Sequence, residues 1–348
     1  MKRGIFWVIV FFLMVLSACS PITVLGDLVA RFTDQDPAPT ETSLPVPVVT
    51  DAPLAVTEII TDTPKPVEMD PVPPLDKPVF EEAEKPGTYW VTNPSSQARL
   101  FVQVVHAPDW GGEALPALVL VPGGISTGGN LLPDASKLAE QGFTVFLFDP
   151  DGRGRSEGVE DYGGFIHQDG LAAVLQFAAG NKDVQSGRMG LVSYSYGVTM
   201  ATGVLARYPQ LDVRFLIDWE GPVDRADTTT SPAGECVMES TRQMWQPCDD
   251  QQFWVEREAI RFISQVKIPA YQRLQSENDH VQPDVSHAIR IVNEAVNAGI
   301  GWVRLNDLPA NQIYDENDPP KMTSEQMDKT REKRIAEFAR ELFRQFGD

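Results

Sequence analysis

The sequence predicts an α/β fold, a doubly wound and mostly parallel sheet with helices on both faces. Three observations carry that expectation. Short apolar runs rich in β-branched and aromatic residues recur along residues 87–348, segments of helical periodicity separate them, and the stretch is long enough to bury one substantial core. Strands alternating with helices imply parallel neighbours joined by crossover helices.

In chain order the strands are expected at Phe101 to Val105, Ala117 to Val121, Thr144 to Phe148, Met189 to Val192, Phe215 to Ile217, Ala270 to Leu274 and Trp302 to Leu305. Helices are expected at Pro133 to Gln141, Asp169 to Ala179, Val198 to Arg207, Phe253 to Val266 and Asp284 to Ala298. A last helix near 324–346 keeps Ile335, Phe338, Leu342 and Phe346 on one stripe at helical spacing. In sheets of this kind ligands bind beyond the carboxyl ends of the strands, so the loops there should carry the chemistry.

The first 86 residues differ in character. Met1-Lys2-Arg3 leads into an apolar run from Ile5 to Leu16, then Ser17-Ala18-Cys19: a basic start, an apolar middle and a small-residue cleavage site. The run is short for a membrane span. Leu16-Ser17-Ala18-Cys19 resembles a bacterial lipoprotein signal, which implies that residues 1–18 are removed and that Cys19 carries a diacylglycerol on its sulfur. Each buried acyl CH₂ contributes ~0.8 kcal/mol, so two or three chains would hold the protein on a membrane of the cell envelope, outside the cytoplasm. Residues 19–86 read as a tether, because from Asp34 onward Pro, Thr, Val, Asp and Glu dominate and little can be buried. About 50 Pro-rich residues at ~3.1 Å each reach on the order of 150 Å.

The formal net charge of −20 over 348 residues argues against nucleic acid and against anionic membrane surfaces as partners. Export would bring Cys236 and Cys248 into an oxidising compartment, and with Cys19 lipidated they are the pair left to form a disulfide. Both lie in an insertion at about 221–251 that also holds Met238, Met244 and Trp245.

The strongest local signal is Met189-Gly190-Leu191-Val192-Ser193-Tyr194-Ser195-Tyr196-Gly197-Val198, an apolar strand running into a small-residue turn and then a helix. A sharp turn there lifts the Ser195 hydroxyl clear of the sheet, with Ser193 in place of the first glycine of G-x-S-x-G. Val121-Pro122-Gly123-Gly124-Ile125 follows another apolar strand, and Phe148-Asp149-Pro150-Asp151-Gly152-Arg153-Gly154 follows a third. Together these segments resemble the α/β hydrolases, in particular the dienelactone-hydrolase and serine-peptidase branches. The resemblance implies Ser195 as nucleophile, the N–H groups of Gly124 and Tyr196 as the oxyanion hole, a lid over the substrate from the 221–251 insertion, and Asp279, after Ala270 to Leu274, as the acid. A stapled surface loop is the other reading of the insertion.

The family places its histidine after the final strand. Here no histidine follows His287, and Asn311 stands at about that position, where an amide cannot take up a proton. Of His106, His167, His280 and His287, the candidate base is His280, because its loop belongs to the active end of the sheet; the other three suit packing or capping. Asp218, Glu220 and Asp224 follow an adjacent strand, so a relay of Ser195, His280 and Glu220 is open beside one ending on Asp279. No cofactor is implied, and no His, Cys, Asp and Glu grouping has metal-ligand spacing. Two functions follow: a serine hydrolase acting on an ester or peptide, or a binding protein that kept a hydrolase fold without its activity.

Overall fold

The computed structural model describes residues 72–229, 250–282, 284–322 and 327–347, all within the unit Pro64–Asp348. In chain order the elements are β1 (Phe80–Glu82), β2 (Thr88–Thr92), β3 (Arg99–Val105), β4 (Leu115–Val121), α1 (Leu132–Ala139), β5 (Thr144–Phe148), α2 (Phe165–Ala179), β6 (Val184–Tyr194), α3 (Gly197–Arg207) and β7 (Phe215–Trp219). They continue with α4 (Arg225–Thr229), α5 (Gln251–Val255), α6 (Ala259–Ile263), β8 (Ala270–Leu274), α7 (Ser286–Asn297), β9 (Trp302–Leu305) and α8 (Met327–Phe346). The strands form one sheet in the order β1-β2-β3-β5-β4-β6-β7-β8-β9. From β5 to β9 every pairing is parallel, whereas β1, β2 and β3 add an antiparallel edge.

Alternate residues of the central strands face opposite layers, the period-2 consequence of strand geometry. Leu191, Val119 and Leu216 pack with α2, α3, α6 and α7, while Val192, Leu118 and Phe215 pack with α1 and α8. The Ile335, Phe338 and Leu342 stripe of α8 is fully or almost fully buried in the second layer. This is the expected doubly wound architecture. The chain winds outward from β4 to β5 on one side and restarts at β6 on the other, so β4 and β6 flank the switch point where their carboxyl ends diverge.

Several details differ from the expected elements. The segment expected as one helix from Phe253 to Val266 is broken into α5 and α6, because Arg257 turns inward and donates to the carbonyl and carboxylate oxygens of Asp161. Helix α2 starts at Phe165, ahead of the expected Asp169, and so contains the buried His167. The sheet also begins inside the stretch read as tether, since Phe80–Glu82 pairs with Tyr89–Val91; its residues are all exposed, and no apolar alternation marks it. Among the described residues no helix is long and apolar enough to cross a membrane. The signal region, Cys19, Cys236 and Cys248 lie outside the described residues.

Candidate active site

Strand β6 ends at Tyr194, and α3 begins at Gly197. Ser195, in between, has φ +52°, a left-handed conformation that costs roughly 1–2 kcal/mol for a residue with a Cβ and is kept only where surroundings enforce it. The enforcement is visible. The Ser195 N–H donates to the Trp219 carbonyl at 2.8 Å, extending the β6–β7 ladder into the turn. A Cβ on Gly197 would sit 2.7 Å from the Val121 carbonyl oxygen, and one on Gly221 would sit 2.8 Å from that of Ser195, so both positions need glycine. Ser193 is fully buried and gives its hydroxyl hydrogen to Asp218 Oδ1 at 3.1 Å, which explains why a serine serves where a glycine is usual.

The loop after β4 lies directly against this turn. A Cβ on Gly123 would fall 2.3 Å from the Tyr194 carbonyl oxygen and 2.9 Å from Ser195 Cβ. Gly124 follows at φ +48° with open space where its Cβ would be, and Tyr196 stands at the N-terminus of α3, whose dipole favours negative charge. The two residues expected as oxyanion donors thus flank Ser195 across the switch point.

On the other side of Ser195 stands His280, in the loop after β8. Its Nε2 is 2.9 Å from Ser195 Oγ, and its Nδ1 is 2.9 Å from Glu220 Oε2. Glu220 follows the last residue of β7 and is completely buried, with φ +47°; its N–H donates to the Leu274 carbonyl at 3.0 Å. Its Oε1 accepts from both the N–H and the hydroxyl of Ser276, which fixes the carboxylate plane. A carboxylate has only acceptors, so an ionised Glu220 keeps the imidazole proton on Nδ1 and leaves the Nε2 lone pair facing Ser195. The His280 ring is stacked on Trp219, with centroids 4.6 Å apart and planes at 20°, and its side chain stays 28% exposed, within reach of a ligand.

Asp279 is placed differently from the expectation. Its Oδ1 is 3.4 Å from His280 Nδ1, farther than Glu220, and accepts instead from the N–H groups of Val281 and Gln282 at 2.8 and 2.9 Å. Its Oδ2 accepts from Gln275 Nε2 at 2.9 Å and lies 3.3 Å from His287 Nε2. Burial opposes its ionisation, but the hydrogen bonds from His287, Gln275 and the two backbone N–H groups outweigh that and hold its carboxyl well below the usual carboxylate range. Asp279 therefore shapes the loop that carries His280.

The remaining singled-out residues are engaged elsewhere. Asp218 is buried against Arg273, and Asp224 pairs with Arg290. His106 stacks on Trp110 at 3.6 Å, and His167 is buried in α2, with its Nδ1 accepting from the Gly163 N–H at 3.1 Å. Asn311 finishes the sheet edge: its N–H donates to the Val303 carbonyl at 2.7 Å, and its Oδ1 accepts the Val303 N–H at 2.8 Å. Among the described residues, Glu220, Asp279 and His280 are the group able to hold a metal ion, one atom of each lying within 4.8 Å of the others. Oxygens of both carboxylates and the His280 nitrogens already take part in the contacts given above. Trp219 carried no signal in the sequence: the expected strand stops at Ile217, and the observed β7 runs two residues further to end on it.

Known proteins resemble this chain in part of its sequence and in its fold. Residues 112–247 match the model of the serine aminopeptidase family S33, a span that includes the glycine loop, the elbow and Glu220. No curated protein matches the chain significantly. An esterase of Pyrococcus furiosus superposes with a TM-score of 0.54 at 14% identity, over 77% of this chain and 92% of its own. The ferulic acid complex of Est1E from Butyrivibrio proteoclasticus gives 0.51 at 13% identity, over 72% and 96%. Dipeptidyl peptidase 4 of Porphyromonas gingivalis gives 0.53 at 18% identity over 76% of this chain, which spans only 36% of that peptidase. The structural likeness shows the α/β-hydrolase fold, and over residues 112–247, elbow included, the chain is similar to the serine aminopeptidase family S33.

Proposed function

We propose that this protein is a serine hydrolase of carboxylic esters, held on the outer side of a bacterial membrane through Cys19. The observation that carries the reading is the unbroken line from Ser195 Oγ through His280 to Glu220, with both contacts at 2.9 Å. His280 Nε2 takes the Ser195 proton as Oγ attacks the ester carbonyl, and Glu220 stabilises the imidazolium that forms. The Gly124 and Tyr196 N–H groups receive the developing oxyanion. His280 then returns the proton to the leaving alcohol, and water releases the acid by the same route in reverse.

This line supplies the base that the sequence lacks at Asn311, and it removes the main support for a purely binding role. Ester rather than peptide substrates are favoured because the esterases named above are covered almost end to end, while the peptidase is covered over about a third of its length. The export signal at Met1 to Cys19 and the Pro-rich stretch after it support display at the cell envelope. The test is to treat the full chain with a fluorophosphonate probe and to follow hydrolysis of a short-chain aryl ester beside an aminoacyl anilide. Labelling and ester turnover are expected in the natural chain, and both should vanish in Ser195→Ala and His280→Ala. Absence of labelling in the natural chain overturns the hydrolase reading, and faster anilide turnover overturns the ester assignment.

A further inference from the structure

We infer that Trp219 is the positioning residue that aligns the base with the nucleophile; the inference rests on the hydrolase reading and names the residue that sets its geometry. Trp219 touches both partners by independent means. Its carbonyl accepts the Ser195 N–H at 2.8 Å, which ties the strained turn to the end of β7. Its indole carries the His280 imidazole, stacked at 4.6 Å with planes 20° apart. The next residue in the chain is Glu220, which holds His280 Nδ1.

The indole supplies a restraint that the hydrogen bond to Glu220 does not. A single contact at Nδ1 fixes one edge of the imidazole and leaves the ring free to rock about that contact, and Nε2, on the far edge, moves most. Asp279 holds the backbone of the His280 loop rather than the imidazole, and Val281 beside it is 66% exposed. A flat face packed against the ring removes the rocking, and a misplacement of ~1 Å at a reacting group costs on the order of 10²-fold in rate. The indole is itself held from the C-terminal helix: the Arg331 guanidinium lies 4.5 Å from its centroid and 4.9 Å from that of Tyr194, and donates to Asp134 of α1 at 2.8 Å. Trp219 is only 7% exposed, so it acts through His280 rather than on a substrate.

Trp219→Leu keeps an apolar side chain but removes the flat aromatic face, and Trp219→Phe restores one. In the full chain, with folding checked by circular dichroism, Trp219→Leu is expected to lower kcat for an aryl ester by about 30- to 100-fold with KM within about threefold of the natural chain. Trp219→Phe should recover kcat to within about fivefold. A folded Trp219→Leu with unchanged kcat overturns the inference, and so does a loss carried by KM. Should Trp219→Leu not fold, Trp219→Phe decides alone: a folded Phe variant reduced more than about tenfold overturns the inference, and a smaller reduction supports it. Fluorophosphonate labelling separates the two levels. A natural chain that does not label at Ser195 removes the hydrolase reading and this inference with it; a natural chain and a folded Leu variant that label equally fast remove the inference alone.

Discussion

Replacing Glu220 by glutamine changes one oxygen for an NH₂ and tests the proposed relay at its buried end. In the native site Oε1 already takes both the N–H and the hydroxyl hydrogen of Ser276, so the glutamine carbonyl is drawn to that side. Its NH₂ then faces His280 Nδ1. An amide NH₂ can only donate, so Nδ1 must accept, the imidazole proton moves to Nε2, and the lone pair aimed at Ser195 is lost. Loss of the correct tautomer in a serine triad lowers kcat about 10⁴-fold, and we expect roughly 10³- to 10⁴-fold here, or ~4–5.5 kcal/mol at ~1.36 kcal/mol per tenfold. Asp279 does not take over, because its Oδ1 is 3.4 Å from Nδ1 and already accepts two backbone N–H groups. Asp279→Asn is therefore expected to lower kcat less than about tenfold. Initial rates at saturating aryl ester, on full chains shown to be folded, read both effects. A Glu220→Gln variant within tenfold of the natural chain beside an Asp279→Asn variant reduced 10³-fold would refute the assignment of Glu220 as the acid.

Three further outcomes follow from contacts around the site. Gly123→Ala drives a methyl group into the Tyr194 carbonyl and Ser195 Cβ, so the elbow must shift; kcat should fall at least ~10²-fold, and near-native rates would show that the loop is not held against the turn. Arg273→Met leaves Asp218 buried without its charge partner, and chemical denaturation should read a loss of roughly 3–5 kcal/mol; a loss under 1 kcal/mol would show that the hydrogen bonds from Ser193 and Tyr271 alone satisfy the carboxylate. Burial, reinforced by Arg153, holds the His167 imidazole well below its ordinary value. From about pH 6.5 downward the unfolded chain therefore binds a proton that the folded one does not, and stability falls as pH falls, by up to ~1.4 kcal/mol per pH unit. His167→Gln should remove that slope from the unfolding midpoint, and an unchanged slope refutes the burial argument.

Much of the fold was legible in the chain because it depends on local pattern. Thr144–Phe148, Ala270–Leu274 and Trp302–Leu305 are strands at the expected bounds, since short buried runs flanked by turn residues have few other ways to satisfy their backbone. The edge strand Phe80–Glu82 was not legible: all three residues face solvent, and pairing with β2 alone makes it a strand. The break at Arg257 was equally hidden, because its cause is Asp161, almost a hundred residues away.

The site divides along the same line. By itself the sequence determined the position of Ser195 and the glycine loop after β4, because a strand, a sharp turn and a helix in succession are local and leave a local signature, and it offered His280 as the candidate base from its loop at the active end of the sheet. Only the tertiary structure set Glu220 nearer than Asp279 to His280 Nδ1, spent Asn311 on the sheet edge and stacked Trp219 on His280. The reason is physical. Adjacency of β7 and β8 in the sheet sets Glu220 and the His280 loop side by side, and at that range half an ångström separates the carboxylate within hydrogen-bond distance of His280 Nδ1 from the one beyond it.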